Sequence, residues 1–393
     1  MRVLTYSHDS YGLGHLRRSV TLARAMVERG PHVQVLCVSG SPAPDTFPLP
    51  ERCELVKLPS VSKDAGGNYV ARRLAMPLHE LLHLRSEMLG AAVRAFRPVL
   101  VLVDHTANGP GGELLPVLRR LRHESRRTRI VLGLRDVLDT PVRARAELAR
   151  NDTVGVIRAC YDEVLVYGQR EVFDVASEFG LPPDIAASIR YVGAVVPPET
   201  RVPVARAGGR LRVLVTAGGG EDGYDLLRWA IAAVRGPMRA NNLAVTLVAG
   251  PLLANAAFAE LEREVQGDPR CTLLRVSRAM HELMDKADLV VGMGGYNTVY
   301  ENLARGLPFL ALPRRGPRLE QWERCRRLAA LGALTLLDHG DARDPQCFAS
   351  AMREAAGRKA DFSLFAFDGA ERTAEHCLAP RTAAHRAPPL TAP

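Results

Sequence analysis

Aromatic side chains make up only 5% of the 393 residues, with two tryptophans, so the core has to be built mostly from Leu, Val and Ala. Lysine is nearly absent. Lys57, Lys63, Lys286 and Lys359 are the only lysines among 52 basic residues, a bias that reflects genome composition as much as any charged ligand. The formal charge of +9 permits nucleic acid, an anionic membrane surface or phosphorylated substrates, and distinguishes none of them. No basic stretch interleaved with aromatics and no recognisable module accompanies it, so nucleic-acid binding is not expected. The seven cysteines (37, 53, 160, 271, 325, 347 and 377) are odd in number and never form Cys-x-x-Cys, which disfavours a disulfide framework and a zinc ribbon. Long apolar runs are missing too. The start of the chain turns polar after two apolar positions, and the longest uncharged run, 240–259, contains Asn241, Asn242, Gly250, Pro251 and Asn255. Neither a secretory segment nor a membrane span is indicated, and a cytoplasmic protein is expected. No Asp-x-Asp triplet occurs, so a metal-bridged diphosphate is not indicated.

What is present is a regular alternation of short apolar runs with longer helical stretches. The length suits two domains rather than one core. Strands are expected at 2–7, 32–38, 54–58, 98–104, 129–134, 163–167 and 190–196, with helices at 15–29, 71–96, 112–124 and 142–160. A second alternation has strands at 211–216, 243–249, 271–275, 289–292, 309–312 and 333–337. Runs apolar nearly throughout are what a parallel sheet covered on both faces requires. The pattern predicts an α/β protein of two doubly wound, Rossmann-like domains facing a central cleft, where the carboxyl ends of the strands place ligands. The expected boundaries are an N-terminal domain 1–197, a linker 198–210, a second domain 211–357, a helical segment 358–377 packing back on the first domain, and a disordered tail 378–393.

Gly12-Leu13-Gly14-His15-Leu16-Arg17 lies between the first strand and first helix, where a dinucleotide fingerprint would lie. Arg17 stands in place of the third glycine, and strand two ends Val38-Ser39-Gly40 with no acid for a ribose. Both departures count against a nicotinamide or flavin site. What survives is a tight turn bringing backbone amides, a helix N-terminus and the Arg17-Arg18 pair together. His15 sits at that terminus, where the dipole favours the neutral imidazole that a base requires. A loop histidine bonded to its own turn is the competing reading.

The second domain carries a sharper signal. Gly292-Met293-Gly294-Gly295-Tyr296-Asn297-Thr298-Val299-Tyr300-Glu301 follows a strand and opens a helix that stops at Gly306-Leu307-Pro308. Gly294 and Gly295 allow close backbone approach to a ligand. Asn297 and Thr298 are expected to cap the helix and to donate to a pyrophosphate. Glu301, on the same face one turn on, is placed to accept from two ribose hydroxyls. A basic loop, Arg314, Arg315 and Arg318, leads to Glu320 and Gln321, which suit a sugar bearing several hydroxyls. Thr216-Ala217-Gly218-Gly219-Gly220 is a weaker candidate to close over the phosphates. His79-Glu80-Leu81-Leu82-His83 matches the zinc-protease pattern with both histidines on one helical face. No downstream motif offers a third ligand, and a stripe of Leu74, Leu78, Leu81, Leu82, Met88, Leu89 and Phe96 makes a helix packed on the sheet the preferred reading, with no metal.

These loops in this order resemble the GT-B glycosyltransferases. They are similar to the bacterial N-acetylglucosaminyltransferase family that completes the peptidoglycan lipid precursor and to predicted glycosyltransferases akin to it, a likeness that runs to about residue 375. The resemblance implies a nucleotide-sugar, UDP-linked, held mainly by the second domain. It implies Glu301 on the ribose and Gly14, Gly218, Gly219, Gly220, Gly294, Gly295, Asn297 and Thr298 around the diphosphate. Residues 276–278, with Ser277, and Met280 would lie at the base, and Glu320 and Gln321 at the transferred sugar, N-acetylglucosamine or another hexose. The turn Asn108-Gly109-Pro110-Gly111-Gly112-Glu113 resembles that family's acceptor-side glycine turn, so Gly111 and Glu113 join Gly12, Arg17, His105 and Asp136 as acceptor-side candidates. This helix opens Tyr296-Asn297-Thr298 where the peptidoglycan family has Ala-Leu-Thr, a variant closer to plant and antibiotic glycosyltransferases.

Attack by an acceptor hydroxyl needs a base. His15 is the first candidate and Asp104, which ends a strand, the second. For Asp136, a plain salt bridge with Arg135 competes with the acceptor role. The reading is inverting transfer with no metal and no cofactor, the nucleotide-sugar being a substrate. Peripheral membrane contact is expected if the acceptor is lipid-linked. A nucleotide-sugar hydrolase, whose Gly-x-Gly-His-x-x-Arg loop Gly12, Gly14, His15 and Arg17 or Arg18 approximate, and a UDP-sugar 2-epimerase are the enzymatic alternatives. A non-catalytic nucleotide-sugar-binding protein is the other.

Overall fold

Val3, Leu4 and Tyr6 are each buried although successive side chains point to opposite faces of a strand, so the first strand must lie inside a sheet covered on both sides. The computed structural model describes residues 1–8, 14–64, 68–125, 127–201, 209–316, 318–358 and 363–380. It contains two fully parallel sheets. The first is built from β1 (Arg2–Ser7), β2 (Gln34–Ser39), β3 (Cys53–Lys57), β6 (Leu100–Asp104), β7 (Arg129–Arg135), β8 (Glu163–Tyr167) and β9 (Ile189–Tyr191), in the order β3-β2-β1-β6-β7-β8-β9. The register aligns Val3 with Val35 on one side and with Leu100 on the other. The strand order reverses between β1 and β6, and in doubly wound sheets such a switch point opens a crevice at the carboxyl ends of the two strands. Ser7 and His8 lie at one lip, Asp104 and His105 at the other.

The second sheet repeats the plan. Strands β10 (Leu211–Thr216), β11 (Leu243–Val248), β12 (Cys271–Leu274), β13 (Leu289–Gly292), β14 (Phe309–Ala311) and β15 (Thr335–Leu336) follow the order β12-β11-β10-β13-β14-β15. Here the switch point lies between β10 and β13, so the Gly218–Gly220 turn and the Gly294-Gly295 turn flank it. Each sheet has its own apolar core, one around Leu4, Val103, Leu132 and Val166, the other around Val215, Leu247, Val291 and Leu310.

Internal contacts divide the chain into two units, residues Met1–Val195 with the chain from Asp368 onward, and Val196–Phe367. The helix Gly369–Leu378 packs on the helix Gly14–Arg29. Arg129 caps its last turn by donating to the main-chain oxygens of His376 (2.9 Å) and Cys377 (3.2 Å), a cation at a helix C-terminus as the dipole favours. The short turn Pro198–Arg201 lies in the second unit, and residues 202–208 of the expected linker and 381–393 of the expected tail lie outside the described residues.

Three expected elements differ. The helix expected from residue 71 begins at Leu78, after Pro77. Ahead of it, β4 (Val61–Lys63) and β5 (Tyr69–Ala71) form an antiparallel hairpin, and Leu74 is 47% exposed instead of joining the helical stripe. The helix expected over 142–160 is two, Pro141–Arg150 and Thr153–Cys160, broken where Asp152 takes a left-handed φ of 44°. The strand expected over 190–196 is confined to Ile189–Tyr191. Among the described residues, no helix is long and apolar enough to cross a membrane.

Candidate active site

In the first unit the fold gathers residues that are far apart in sequence. His15 and Arg18 are three apart on the first turn of the Gly14–Arg29 helix and so share a face. Both turn towards Asp104 at the end of β6. The His15 Nδ1 lies 2.5 Å from Asp104 Oδ2, and Arg18 grips the same carboxylate in a fork, Nε to Oδ1 at 2.9 Å and Nη2 to Oδ2 at 2.7 Å. All three side chains are buried. Arg18 Nη2 also stands 3.0 Å from His15 Nδ1. The Asp104 carboxylate only accepts, so its contact with the ring requires Nδ1–H to donate and leaves the lone pair on Nε2, while Arg18 Nη2, itself a donor, bonds to the carboxylate and not to Nδ1. Burial alone would raise the Asp104 carboxyl, but the Arg18 charge and the His15 contact outweigh it and hold the acid well below the usual carboxylate range.

Two more imidazoles complete the cluster. The His8 ring centroid is 4.8 Å from that of His15 and the His105 centroid 5.1 Å, while His8 and His105 stack at 5.9 Å. Burial, reinforced by the neighbouring His15, pushes the His8 imidazole well below its ordinary value, so it stays neutral. His105 has a φ of 73° and its amide donates to the Gly133 oxygen at 2.7 Å. A non-glycine residue held in this region stores strain of about 1–3 kcal/mol, which is typical of functional positions.

The other acceptor-side candidates do not all join this cluster. The Glu113 carboxylate is turned into the domain, where Arg85 binds it in a fork (Nε to Oε2 at 2.5 Å, Nη2 to Oε1 at 2.7 Å) and the Tyr6 hydroxyl donates to it. Gly111 has a φ of 61° with the Leu82 side chain packed against it. Buried Asp136 accepts from the next amide, Val137, at 2.7 Å, and Arg17 lies 5.8 Å from the Phe47 ring centroid. Gly12 lies outside the described residues. His8 and Arg85 were not singled out by sequence reasoning. His8 had a usable signal, a polar residue at the end of an apolar strand beside the switch point; Arg85 had none.

In the second unit the helix Tyr296–Ala304 follows β13, as expected, but Gly295 is its N-cap and no side chain caps it. This corrects the capping role expected of Asn297 and Thr298, which fall inside the first turn. The first intrahelical bond runs from Val299 N–H to Gly295 O at 3.0 Å, so the amides of 296–298 lie ahead of the ladder at the positive end of the dipole. Gly294 has a φ of 79°, and a Cβ there would come within 2.3 Å of Cys325 Sγ. Fully buried Arg324 donates to the Gly294 oxygen at 3.2 Å and lies over the Tyr296 ring, fixing the turn from beneath. Gly294→Ala is therefore expected to destabilise the second unit by about 2 kcal/mol or more through left-handed strain and overlap. Gly295→Ala, whose Cβ would meet nothing within 4 Å, is expected to leave the thermal midpoint nearly unchanged. Thermal unfolding of the two variants compares them directly.

Glu301 is only 1% exposed, and the Arg305 guanidinium donates to its main-chain oxygen. Glu320 is buried too, with Oε1 on Arg314 Nη2 at 2.5 Å, while the Arg314 amide reaches Gln321 Oε1 at 3.4 Å. Gly220, at a φ of 91°, sits against the Ala249 oxygen, which packs the turn after β10 onto the turn after β11. The Ser277 hydroxyl accepts from the Ala279 amide at 3.2 Å, and Met280 opens the short helix Met280–Asp285. His79 and His83 lie on the exposed side of the Leu78–Phe96 helix, and no group of three metal-binding side chains is arranged around an ion among the described residues.

Residues 213–346 match the glycosyltransferase family 28 C-terminal domain. The second unit therefore carries a glycosyltransferase family domain. No curated protein sequence matches the chain significantly. Solved structures resemble it over nearly its whole length. MurG of Acinetobacter baumannii superposes with a TM-score of 0.57 at 14% identity, covering 96% of this chain and 95% of that one. The kitacinnamycin glycotransferase gives 0.60 at 15% identity, covering 95% and 93%. The UDP-GlcNAc 2-epimerase of Neisseria meningitidis, bound to UDP-GlcNAc, gives 0.62 at 11% identity, covering 96% and 100%. At such identities the likeness is one of fold, two Rossmann-like domains of the GT-B type.

Proposed function

We propose that this glycosyltransferase moves a hexose, with N-acetylglucosamine the leading candidate, from a UDP-linked donor to an acceptor hydroxyl with inversion and without a metal. The observation that carries the mechanism is the His15–Asp104 contact at 2.5 Å, with Arg18 on the same carboxylate. Asp104 orients the ring and supports the imidazolium that forms, and Nε2 takes the proton. The acceptor oxygen attacks the anomeric carbon from the side opposite the leaving group. Its proton passes to His15 Nε2, the new C–O bond forms, and the bond to the diphosphate breaks with its electron pair leaving on phosphate. The second unit would hold the donor. The amides of residues 296–298 and the turns at Gly218–Gly220 and Gly294-Gly295 suit the pyrophosphate, and a helix N-terminus with nearby arginines neutralises the departing charge without an ion. Support for a UDP-sugar comes from the Neisseria enzyme, whose structure holds UDP-GlcNAc. Membrane contact belongs to this reading only if the acceptor is lipid-linked.

Calorimetric titration with UDP-, dTDP- and GDP-sugars, followed by turnover with and without acceptor extracts, tests the proposal. Saturable binding of one donor and acceptor-dependent release of nucleoside diphosphate are expected. Absence of any nucleotide-sugar binding would overturn it. The epimerase likeness at a TM-score of 0.62 favours a second reading, sugar-nucleotide epimerisation or hydrolysis. Conversion of the sugar, or its release, at full rate without acceptor would decide for that alternative.

A further inference from the structure

Arg305 follows the last turn of the Tyr296–Ala304 helix, yet its guanidinium has no solvent exposure and serves three partners. It donates to the Glu301 main-chain oxygen at 3.1 Å, to Asp285 Oδ1 at 2.8 Å and to His281 Nδ1 at 2.9 Å. His281 and Asp285 are four residues apart on the Met280–Asp285 helix, so they present one face to it. One side chain thus joins the segment ahead of β13 to the helix behind β13. The Met280–Asp285 helix is only six residues long, too short to be stable alone, and its position must come from such tertiary contacts. Immediately before it, residues 276–279 connect the carboxyl end of β12 to that helix.

We propose that Arg305 is a positioning residue for the donor. It sets the 276–280 segment against the glycine turn and helix that hold the diphosphate, and so fixes the distance between base and phosphate subsites. The inference rests on the donor reading above. Three considerations favour a geometric role over simple stabilisation. Burying a guanidinium is costly, and well-packed apolar residues would join two helices at least as firmly. The Asp285 side chain is 49% exposed, so this ion pair is screened and returns little stability. Only a planar fork reaches three acceptors in fixed directions, which lysine cannot reproduce.

The test is titration of the full-length wild type, Arg305→Gln and Arg305→Lys with UDP, TDP and GDP, alongside steady-state kinetics on the preferred donor. Both variants are expected to bind the preferred diphosphate about tenfold more weakly, a loss on the scale of one or two buried hydrogen bonds. Discrimination between bases should shrink, donor KM should rise in parallel, and kcat at saturating donor should stay within about twofold. His281→Asn, whose Oδ1 can accept in place of Nδ1, should retain near wild-type affinity. Unchanged affinity and base preference in folded Arg305 variants, or a fall in kcat at constant KM, would overturn the proposal. If the Arg305 variants do not fold, the double variant Asp285→Asn, His281→Leu decides: weakened, less selective binding supports the role and unaltered binding overturns it. A wild type that binds none of the three overturns the donor reading and this proposal with it. A wild type that binds, with variants that bind equally well, overturns this proposal alone.

Discussion

His15→Ala is expected to lower kcat by about 10²- to 10⁴-fold, the contribution of a positioned general base, while donor affinity stays nearly constant. Asp104→Asn should produce a loss of similar order for a different reason. The amide can offer an N–H to Nδ1, and that turns the imidazole proton onto Nε2, where the base must be free to accept. Arg18, which grips the same carboxylate at 2.7 and 2.9 Å, would also lose its counter-ion. Steady-state release of nucleoside diphosphate with acceptor present measures both variants, and calorimetry on the donor shows whether binding survives. Full turnover in His15→Ala together with abolished turnover in Asp104→Asn would make the carboxylate the base and reverse the roles.

The largest expected effect on stability lies at Arg85. Its side chain and that of Glu113 are 0% and 1% exposed, and they bind each other in a fork beneath β1. Arg85→Ala leaves a buried carboxylate without its cation, a change that costs about 3–5 kcal/mol. Tyr6 keeps its bond to Glu113 but cannot neutralise it, and the Pro59 oxygen loses the donor it had in Arg85. A thermal midpoint for the first unit lowered by roughly 6–20 °C would match that loss. Replacing the cluster as a whole, with Tyr6→Phe, Arg85→Met and Glu113→Leu, should restore much of the stability, because no buried charge remains. If Arg85→Ala unfolds no more easily than the wild type, the cluster is not the anchor that its burial implies. The effect should reach the candidate site as well. At Gly40 a Cβ would stand 2.3 Å from the His8 main-chain oxygen and 2.8 Å from Arg85 Nη1, so these groups pack together.

Much of this architecture is legible in the sequence, and the reasons are local. β1, β6 and β13 are apolar on both faces, a pattern that has no other home than a covered parallel sheet. The glycines after β10 and β13 mark turns because the chain there takes positive φ. The hairpin of β4 and β5 escaped because each strand is three residues long, too short for periodicity to register. The break at Asp152 escaped because a single left-handed residue interrupts an otherwise helical composition. In the site, His15 and Asp104 were both recognisable as polar residues at element ends beside a switch point, but as rival bases. Their union was not, since 89 positions separate them. Asn297 and Thr298 had the composition of caps and lost that role to Gly295 through the backbone geometry of the preceding turn.

The amino-acid sequence by itself determined two doubly wound domains and which strand ends can carry chemistry, because hydrophobic period, glycine position and crossover handedness are properties of short segments. Tertiary structure alone decided what each carboxylate does. Asp104 became the partner of His15 and Arg18, Glu113 the partner of Arg85 and Tyr6, and Glu320 the partner of Arg314. A buried charge must be paired, and the pairing is settled by which side chains the fold brings within about 3 Å in a medium that screens them little, not by their spacing along the chain.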